Sequence, residues 1–128
     1  PKSYGFVGWN LNNEMFKDKN VRIALAHLVN RKLMIEKFRF GMSLPATGPW
    51  YQQSEYAHPG VKPIPFDVKK ASELLKKAGW ADSDKNGILD RMVGGEKREF
   101  RFQLIYGNQD TEKYWTMYKE DAKQAGVE

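Results

Sequence analysis

The chain has 128 residues, of which 41% are hydrophobic and 13% aromatic, so it carries enough apolar surface for one folded domain and is not a disordered segment. It contains no cysteine, which excludes disulfide bonds, thiolate metal ligands and a cysteine nucleophile. The net charge of +5 comes from 21 basic and 16 acidic residues that are interspersed along most of the chain, and no run of five like charges marks a basic arm for nucleic acid.

The first predicted element is a buried β-strand over residues 4–11, where bulky side chains would lie on both faces. Asp18 is a typical N-cap for a first helix. That helix would carry apolar side chains on one stripe, namely Val21, Ala24, Leu25 and Leu28. Asn30 ends the pattern, because a continued stripe would place Lys32 in its middle, and it is therefore predicted to cap a second helix.

The second helix is predicted from Arg31 to about Phe40, with a stop at Gly41, because glycine suits a left-handed residue after a last turn. Its predicted buried face consists of Met34, Ile35 and Phe38.

A long loop, residues 43–66, follows and is called here the proline-rich loop. Its five prolines prevent any long regular element, and they are Pro45, Pro49, Pro59, Pro63 and Pro65. Loops of this length within a compact domain are commonly functional. Four aromatic residues are expected to anchor it against the core, and they are Trp50, Tyr51, Tyr56 and Phe66.

The rest of the chain alternates helices with short polar or extended segments. Asp67 is predicted to cap a helix that ends at Gly79, and residues 82–95 form a polar turn region. A half-buried strand is predicted over residues 98–106, and a helix from about Asp110 to a stop at Gly126. Residues 127–128 have the character of the start of another strand.

Several segments, in this order, resemble one family, the bacterial extracellular solute-binding proteins that bind oligopeptides, dipeptides and nickel. Residues 16–25, for example, are similar to a family passage F-x-D-x-x-V-R-x-A-L, and residues 41–49 to G-x-x-x-P-A-x-G-P. The matching segments are 8–11 (GWNL), 16–25 (FKDKNVRIAL), 28–31 (LVNR), 41–49 (GMSLPATGP), 66–80 (FDVKKASELLKKAGW) and 123–127 (KQAGV). At 28–31 the family usually has Asp where this chain has Asn30, and either side chain can cap a helix.

The resemblance implies an α+β fold, a small mixed sheet flanked by about four helices, as one lobe of a periplasmic-binding-protein type II fold. Residues 1–128 would form a single domain, a partial second lobe that closes on its ligand by hinge motion. It also implies a periplasmic or extracellular receptor, not an enzyme, that binds a peptide or other small solute and delivers it to an ABC transporter permease. The family's Asp for the ligand amine would lie beyond Glu128. No cofactor is implied, and no apolar stretch is long enough to span a membrane.

The expected ligand contacts lie in the segment Pro45–Trp50, where a rigid Pro/Gly backbone exposes N–H and C=O groups that can bind a peptide main chain. A purely structural loop is the alternative. The end of the predicted first strand is a second expected contact. The expected ligand-binding residues are Thr47, Gly48, Pro49, Trp50, Trp9 and Asn10.

Residues 82–90 match the first nine positions of a calcium-binding loop, with oxygen-bearing side chains at Asp82, Asp84, Asn86 and Asp90. The twelfth position, which should be a bidentate Glu, is Val93, so the calcium shell would be incomplete. The alternative is a turn whose Asx side chains bond their own backbone. A calcium-dependent interaction module therefore stays open as a rival function.

No catalytic constellation is apparent in the sequence. His27 and His58 lack a second histidine at metal-ligand spacing, and there is neither a Gly-x-Ser-x-Gly elbow nor a phosphate-binding Gly-rich loop. A basic nucleic-acid-binding domain is the other rival, since residues 4–9 contain an aromatic strand-like pattern, but in an RNA-recognition sheet such a strand follows a strand and a helix. We expect no nucleic-acid partner.

Overall fold

The computed structural model describes residues 3–128. Within this range the chain forms five α-helices, one 3₁₀ turn and a two-stranded antiparallel sheet, which confirms the predicted α+β class. The helices are α1 (Glu14–Lys17), α2 (Lys19–His27), α3 (Arg31–Arg39), α4 (Val68–Lys77) and α5 (Glu112–Lys123), with the 3₁₀ turn at Gln109–Thr111. The strands are β1 (Asp90–Val93) and β2 (Glu96–Glu99). None of the helices in the described range is both long and apolar enough to cross a membrane.

The three predicted N-caps are confirmed. The side-chain oxygens of Asp18, Asn30 and Asp67 accept backbone N–H bonds of 2.7, 3.2 and 2.8 Å from residues two or three positions ahead. Each satisfies a donor that the first turn of its helix leaves unpaired. The separate cap at Asn30 explains why α2 and α3 are two helices and not one.

The core forms mainly where α2 packs against α4. The predicted stripe of α2 is fully buried and meets Ala71 and Leu75 of α4, both also at 0% exposure. Trp80 and Phe100 extend this core, with their ring centroids 4.4 Å apart. Helix α5 closes it through Tyr118, whose hydroxyl donates a 3.2 Å hydrogen bond to the backbone carbonyl of Leu25.

The end of α3 differs slightly from the prediction. The helix ends at Arg39, and Phe40 and Gly41 both have left-handed backbones, with φ of 50° and 73°. The predicted glycine stop is therefore preceded by a second left-handed residue. Of the predicted buried face, only Met34 is buried; Ile35 and Phe38 are partly exposed, and Phe38 packs against the edge of the core.

The predicted buried strand over residues 4–11 is wrong for this structure. These residues form no strand, and Phe6 is 76% exposed. A strand requires a partner for its backbone groups, and no other segment of residues 3–128 lies beside this one in a sheet. Trp9 alone ties the segment to the core, with its ring 4.9 Å from Phe16.

The second predicted strand, residues 98–106, is correct only at its start. The strands form a hairpin within residues 90–99, most of which the sequence indicated as a polar turn region. Val93 pairs with Glu96 across Gly94 and Gly95, which both have positive φ, and such a Gly-Gly pair is a typical two-residue hairpin turn. Beyond Glu99 the chain stays extended, where the Phe100 N–H donates to the Leu89 carbonyl at 2.6 Å and Glu128 donates to the Phe100 carbonyl at 3.0 Å.

The aromatic side chains of the proline-rich loop lie largely on the surface and not in the core, contrary to expectation. Trp50 and Tyr56 are 60% and 68% exposed, and their rings contact each other with centroids 5.7 Å apart. Tyr51 and Phe66 are 44% and 36% exposed. Apolar character alone does not place a side chain in a core, because the α2–α4 core is already filled by the helices themselves.

Gly126 provides the first test of this packing. Its φ is +75°, and a Cβ there would lie 2.9 Å from Leu89 Cγ and 3.3 Å from Leu89 N. We expect Gly126→Ala to lower the free energy of unfolding by about 1–2 kcal/mol for the left-handed backbone and by about 1–3 kcal/mol more for the overlap. Urea unfolding measures both.

The matched control is Gly87→Ala, because Gly87 has a similar φ of +89° and no atom within 4 Å of the added Cβ. It should show the backbone effect alone. Equal losses for the two variants would contradict close packing of Gly126 on Leu89.

Candidate functional site

The segment Pro45–Trp50 lies on the surface with an unusually free backbone. The backbone N–H groups of Ala46, Thr47, Gly48 and Trp50 form no hydrogen bond to any residue in the described range 3–128. The Gln52 amide donates to the Pro45 carbonyl and lies 3.5 Å from the Thr47 hydroxyl. The Gln52 side chain thus supports the segment from one side, and the four N–H groups have no hydrogen-bond acceptor among the described residues.

Trp50 and Thr47 have different surroundings within this segment. The Trp50 ring is largely exposed and leans on Tyr56, so it presents an apolar plane to solvent. Thr47 is partly buried, beside Gln52. Whether these residues touch a ligand stays a prediction.

Trp9 and Asn10 lie apart from that segment. The Trp9 ring packs on Phe16 and Phe102, 4.9 and 5.6 Å between centroids, which is a core contact. The Asn10 side chain accepts the backbone N–H of Asn12 at 3.0 Å and so forms a turn. No hydrogen bond or ring contact joins either residue to residues 45–50.

The end of the proline-rich loop is held by polar side chains that the sequence did not single out for this purpose. Arg31 Nη1 donates to the Ile64 carbonyl at 3.1 Å, and His27 Nδ1 lies 2.8 Å from the Pro65 carbonyl. Half-buried surroundings lower the pKa of the Arg31 guanidinium, since desolvation disfavours its charge, while the nearby Tyr118 opposes this. His58, by contrast, accepts the local N–H of Gly60 at 3.0 Å.

The acidic loop, defined as residues 82–90, brings three carboxylates together. One oxygen each from Asp82, Asp84 and Asp90 lies within 4.8 Å of the others. Asp82 accepts the backbone N–H groups of Asn86 and Gly87, four and five residues ahead, and an Asx turn forms at Asp84, which accepts the Asn86 N–H at 3.3 Å. Asp90, at 7% exposure, accepts both the N–H and the hydroxyl of Ser83.

A lysine ammonium from the hairpin enters this acidic loop. Lys97 Nζ lies 2.7 Å from Asp84 and 3.6 Å from Asp90. The hydrogen bond from Lys97 lowers the pKa of Asp84, while those from Ser83 lower the pKa of Asp90. The hydrogen bond to Asp84 raises the pKa of Lys97 in turn. Val93, the twelfth position of the calcium pattern, lies in β1 beside the hairpin turn.

Two surface depressions, both of which the sequence missed, lie on either side of α5. One, of about 660 Å³, lies between α3 and α5 and includes Lys37 and Lys113. The other, of about 410 Å³, is lined by Leu104, Tyr106 and Trp115. No residue of the proline-rich loop lines either depression. For the second depression, the sequence signal would have been Leu104 and Tyr106, apolar residues of the extended segment that have no opposing strand.

Comparison with known proteins gives one consistent result. The family described as "Bacterial extracellular solute-binding proteins, family 5 Middle" matches residues 1–128. The oligopeptide-binding protein AppA of Bacillus subtilis is 34% identical over 129 aligned residues, which cover 98% of this chain and 23% of AppA. The glutathione-binding protein GsiB of Escherichia coli is 37% identical over 75 residues, 59% of this chain and 14% of GsiB.

Solved structures agree with the sequence relatives. AppA in complex with a nonapeptide superposes with a TM-score of 0.79 at 33% identity, covering 94% of this chain and 24% of AppA. NikA of Brucella suis in complex with Fe(III)-EDTA gives 0.75 at 27% identity, covering 93% of this chain and 24% of NikA. The chain spans about a quarter of the length of AppA and NikA. Both the sequence resemblance and the predicted fold type are confirmed, and the chain belongs to the bacterial extracellular solute-binding proteins of family 5.

Proposed function

We propose that this chain is part of the second lobe of a two-lobed receptor that captures a peptide-like solute outside the cytoplasmic membrane and delivers it to the permease of an ABC importer. The observation that carries the proposal is the match over 94% of the chain to AppA, which was solved with a nonapeptide bound. Capture requires no covalent step, so the chain would act by binding alone. The whole receptor would associate with the membrane through the importer.

The proline-rich loop provides the chemistry that such a ligand needs. Peptide ligands of different sequence share only their main chain, so a general receptor must bind N–H and C=O groups. The unpaired N–H donors of Thr47 and Gly48, fixed beside Pro49, could bind main-chain carbonyls of any sequence. The exposed ring of Trp50 would cover an apolar side chain. Lobe closure would then enclose the ligand from both sides.

The ligand class is tested directly on the two-lobed protein. Peptides that co-purify with it should be released by acid and identified by mass spectrometry, and a pool of synthetic nonapeptides should bind in isothermal titration calorimetry. Glutathione and nickel are the comparison ligands. Binding of nickel alone, with no response to any peptide, would contradict a peptide receptor.

Trp50→Ala tests the loop assignment. Loss of one apolar contact surface in a binding site costs about 1–2 kcal/mol, so the Kd for the nonapeptide pool should rise about tenfold. Calorimetry gives the Kd, and thermal unfolding should show little change because the ring is largely exposed.

The control for Trp50 is Phe40→Ala, which removes another exposed aromatic ring, 81% accessible, just before the proline-rich loop. It should bind peptide as the unaltered protein does. An unchanged Kd for Trp50→Ala would remove the loop from the proposed binding site.

For the acidic loop, we infer that the Lys97 ammonium, and not a calcium ion, is the cation that pairs with the carboxylates and offsets part of their charge. Its contacts with Asp84 and Asp90, at 2.7 and 3.6 Å, occupy the position that a bound cation would need. The carboxylates also accept N–H bonds from their own loop, as in the turn alternative. The ion pairs of Lys97 then hold the hairpin against the acidic loop.

Removal of the ammonium should create calcium sensitivity. We expect Lys97→Met to melt at a lower temperature than the unaltered protein in EDTA and to recover in millimolar CaCl₂, because a divalent ion would then relieve repulsion among the carboxylates. Lys85→Met is the control, since it removes a charge of the same loop that makes no ion pair within 4.0 Å among the described residues. A calcium-induced rise for the unaltered protein would contradict the inference.

The acidic loop also predicts a pH dependence. Since the folded state lowers the pKa of Asp84, the stability that this group adds is present above its unfolded pKa of about 3.9 and is lost as pH falls through the lower folded value. Asp84→Asn should therefore be less stable than the unaltered protein at pH 7, and the difference should shrink at pH 3. Urea unfolding at both pH values measures this, and an equal difference at both would contradict the Lys97–Asp84 pair.

A further inference from the structure

Arg31 lies at the first position of α3 and reaches backward to the end of α2. Its Nη1 donates to the Ala26 carbonyl at 3.1 Å and to the Ile64 carbonyl, also at 3.1 Å. A single Nη carries two hydrogens, so these two carbonyls satisfy it, and a third at 3.5 Å, from Val29, is marginal. One side chain therefore joins the end of a core helix to the end of the proline-rich loop.

Two further bonds join the same pair of segments. His27 Nδ1 lies 2.8 Å from the Pro65 carbonyl, and the Asp67 N–H donates to the His27 carbonyl at 3.0 Å. The neutral tautomer with a proton on Nδ1 and the cationic ring both donate in this geometry, so the His27 contact does not require a particular charge. The end of the proline-rich loop and the residue after it are thus held by three hydrogen bonds, two with His27 of α2 and one from the charged Arg31 side chain of α3.

The Arg31 contacts are stronger than their number suggests. Hydrogen bonds from a charged donor are worth more than neutral ones, and the carbonyls at the end of α2 carry the negative pole of that helix. The guanidinium is about half buried, so it has lost part of its water shell and depends on these carbonyls for compensation. A shorter side chain at this position cannot reach both carbonyls. An apolar side chain such as Met has no donor for either of them.

We propose that Arg31 is a positioning residue for ligand capture, which sets the place of the proline-rich loop relative to the core without touching the ligand. The effect on affinity rests on the function proposed above for the loop. The effect on loop order does not. Contact with the loop's far end distinguishes Arg31 from a residue that only caps α2.

The chain offers a matched control in Arg22. Its Nη1 also donates to two backbone carbonyls, those of Phe16 and Lys17, both at 2.7 Å, but these lie before α2 and not in the loop. Arg31→Met and Arg22→Met therefore remove the same kind of contact from two places. Both should lower the melting temperature of the two-lobed protein, and only the first should affect the loop.

The experiment measures amide exchange by mass spectrometry and affinity for the nonapeptide pool, at a temperature where both variants are folded. We expect Arg31→Met to speed exchange over residues 61–67, where Val61 and Asp67 are hydrogen-bonded, and to raise the Kd about tenfold, with Arg31→Lys intermediate. Arg22→Met should leave both unchanged.

Two outcomes overturn the inference, and a third is separate from it. Unchanged exchange over residues 61–67 in Arg31→Met would show that Arg31 does not hold the loop. Faster exchange with an unchanged Kd, while Trp50→Ala weakens binding, would show that loop position does not set affinity. If Trp50→Ala also binds normally, the loop assignment fails instead, and the exchange result still tests how Arg31 holds the loop.

Discussion

The close packing of α2 against α4 is the constraint on which the remaining structure depends. Ala24 and Ala71 are both fully buried, and small side chains let two helices approach closely. Because these helices are neighbours, the chain that leaves the C-terminal end of α2 must come back to that same end before α4 begins. The Asp67 N–H bond to the His27 carbonyl marks that return, so α3 and the proline-rich loop form one excursion whose far end is fixed by the core.

The second half of the chain is added to this pair through a few long-range contacts. The Tyr118 hydroxyl fixes α5 to α2 through the Leu25 carbonyl, and burial of this side chain raises the pKa of the hydroxyl, so it remains a neutral donor. Gly126 lets the chain pass directly over Leu89, whose N–H bonds the Gly126 carbonyl at 2.8 Å. The hairpin, the end of α5 and the core are therefore positioned together.

Helices and their ends were predictable because their signals are local. A cap such as Asn30 bonds a donor three residues away, and an apolar stripe needs only its own spacing. Strands were less predictable, because a strand at residues 4–11 depends on a partner elsewhere in the chain. The exception is the hairpin, whose Gly94-Gly95 turn is a local signal. The same limit applies to the site: the exposed Pro/Gly backbone was predictable, but the Arg31–Ile64 contact joins residues 33 positions apart.

Fixing one end of a surface loop would have a thermodynamic consequence for the capture proposed above. Ordering a mobile segment on binding costs roughly 1–2 kcal/mol per residue in backbone entropy, which would exceed the gain from a main-chain hydrogen bond of about 0.5–1.5 kcal/mol. Prolines restrict the unbound loop, and Arg31 and His27 hold its end, so much of that entropy is lost during folding and not on binding. A receptor that recognises only main-chain groups has few strong contacts available, and for such a receptor prior order in the loop decides whether those contacts yield net affinity.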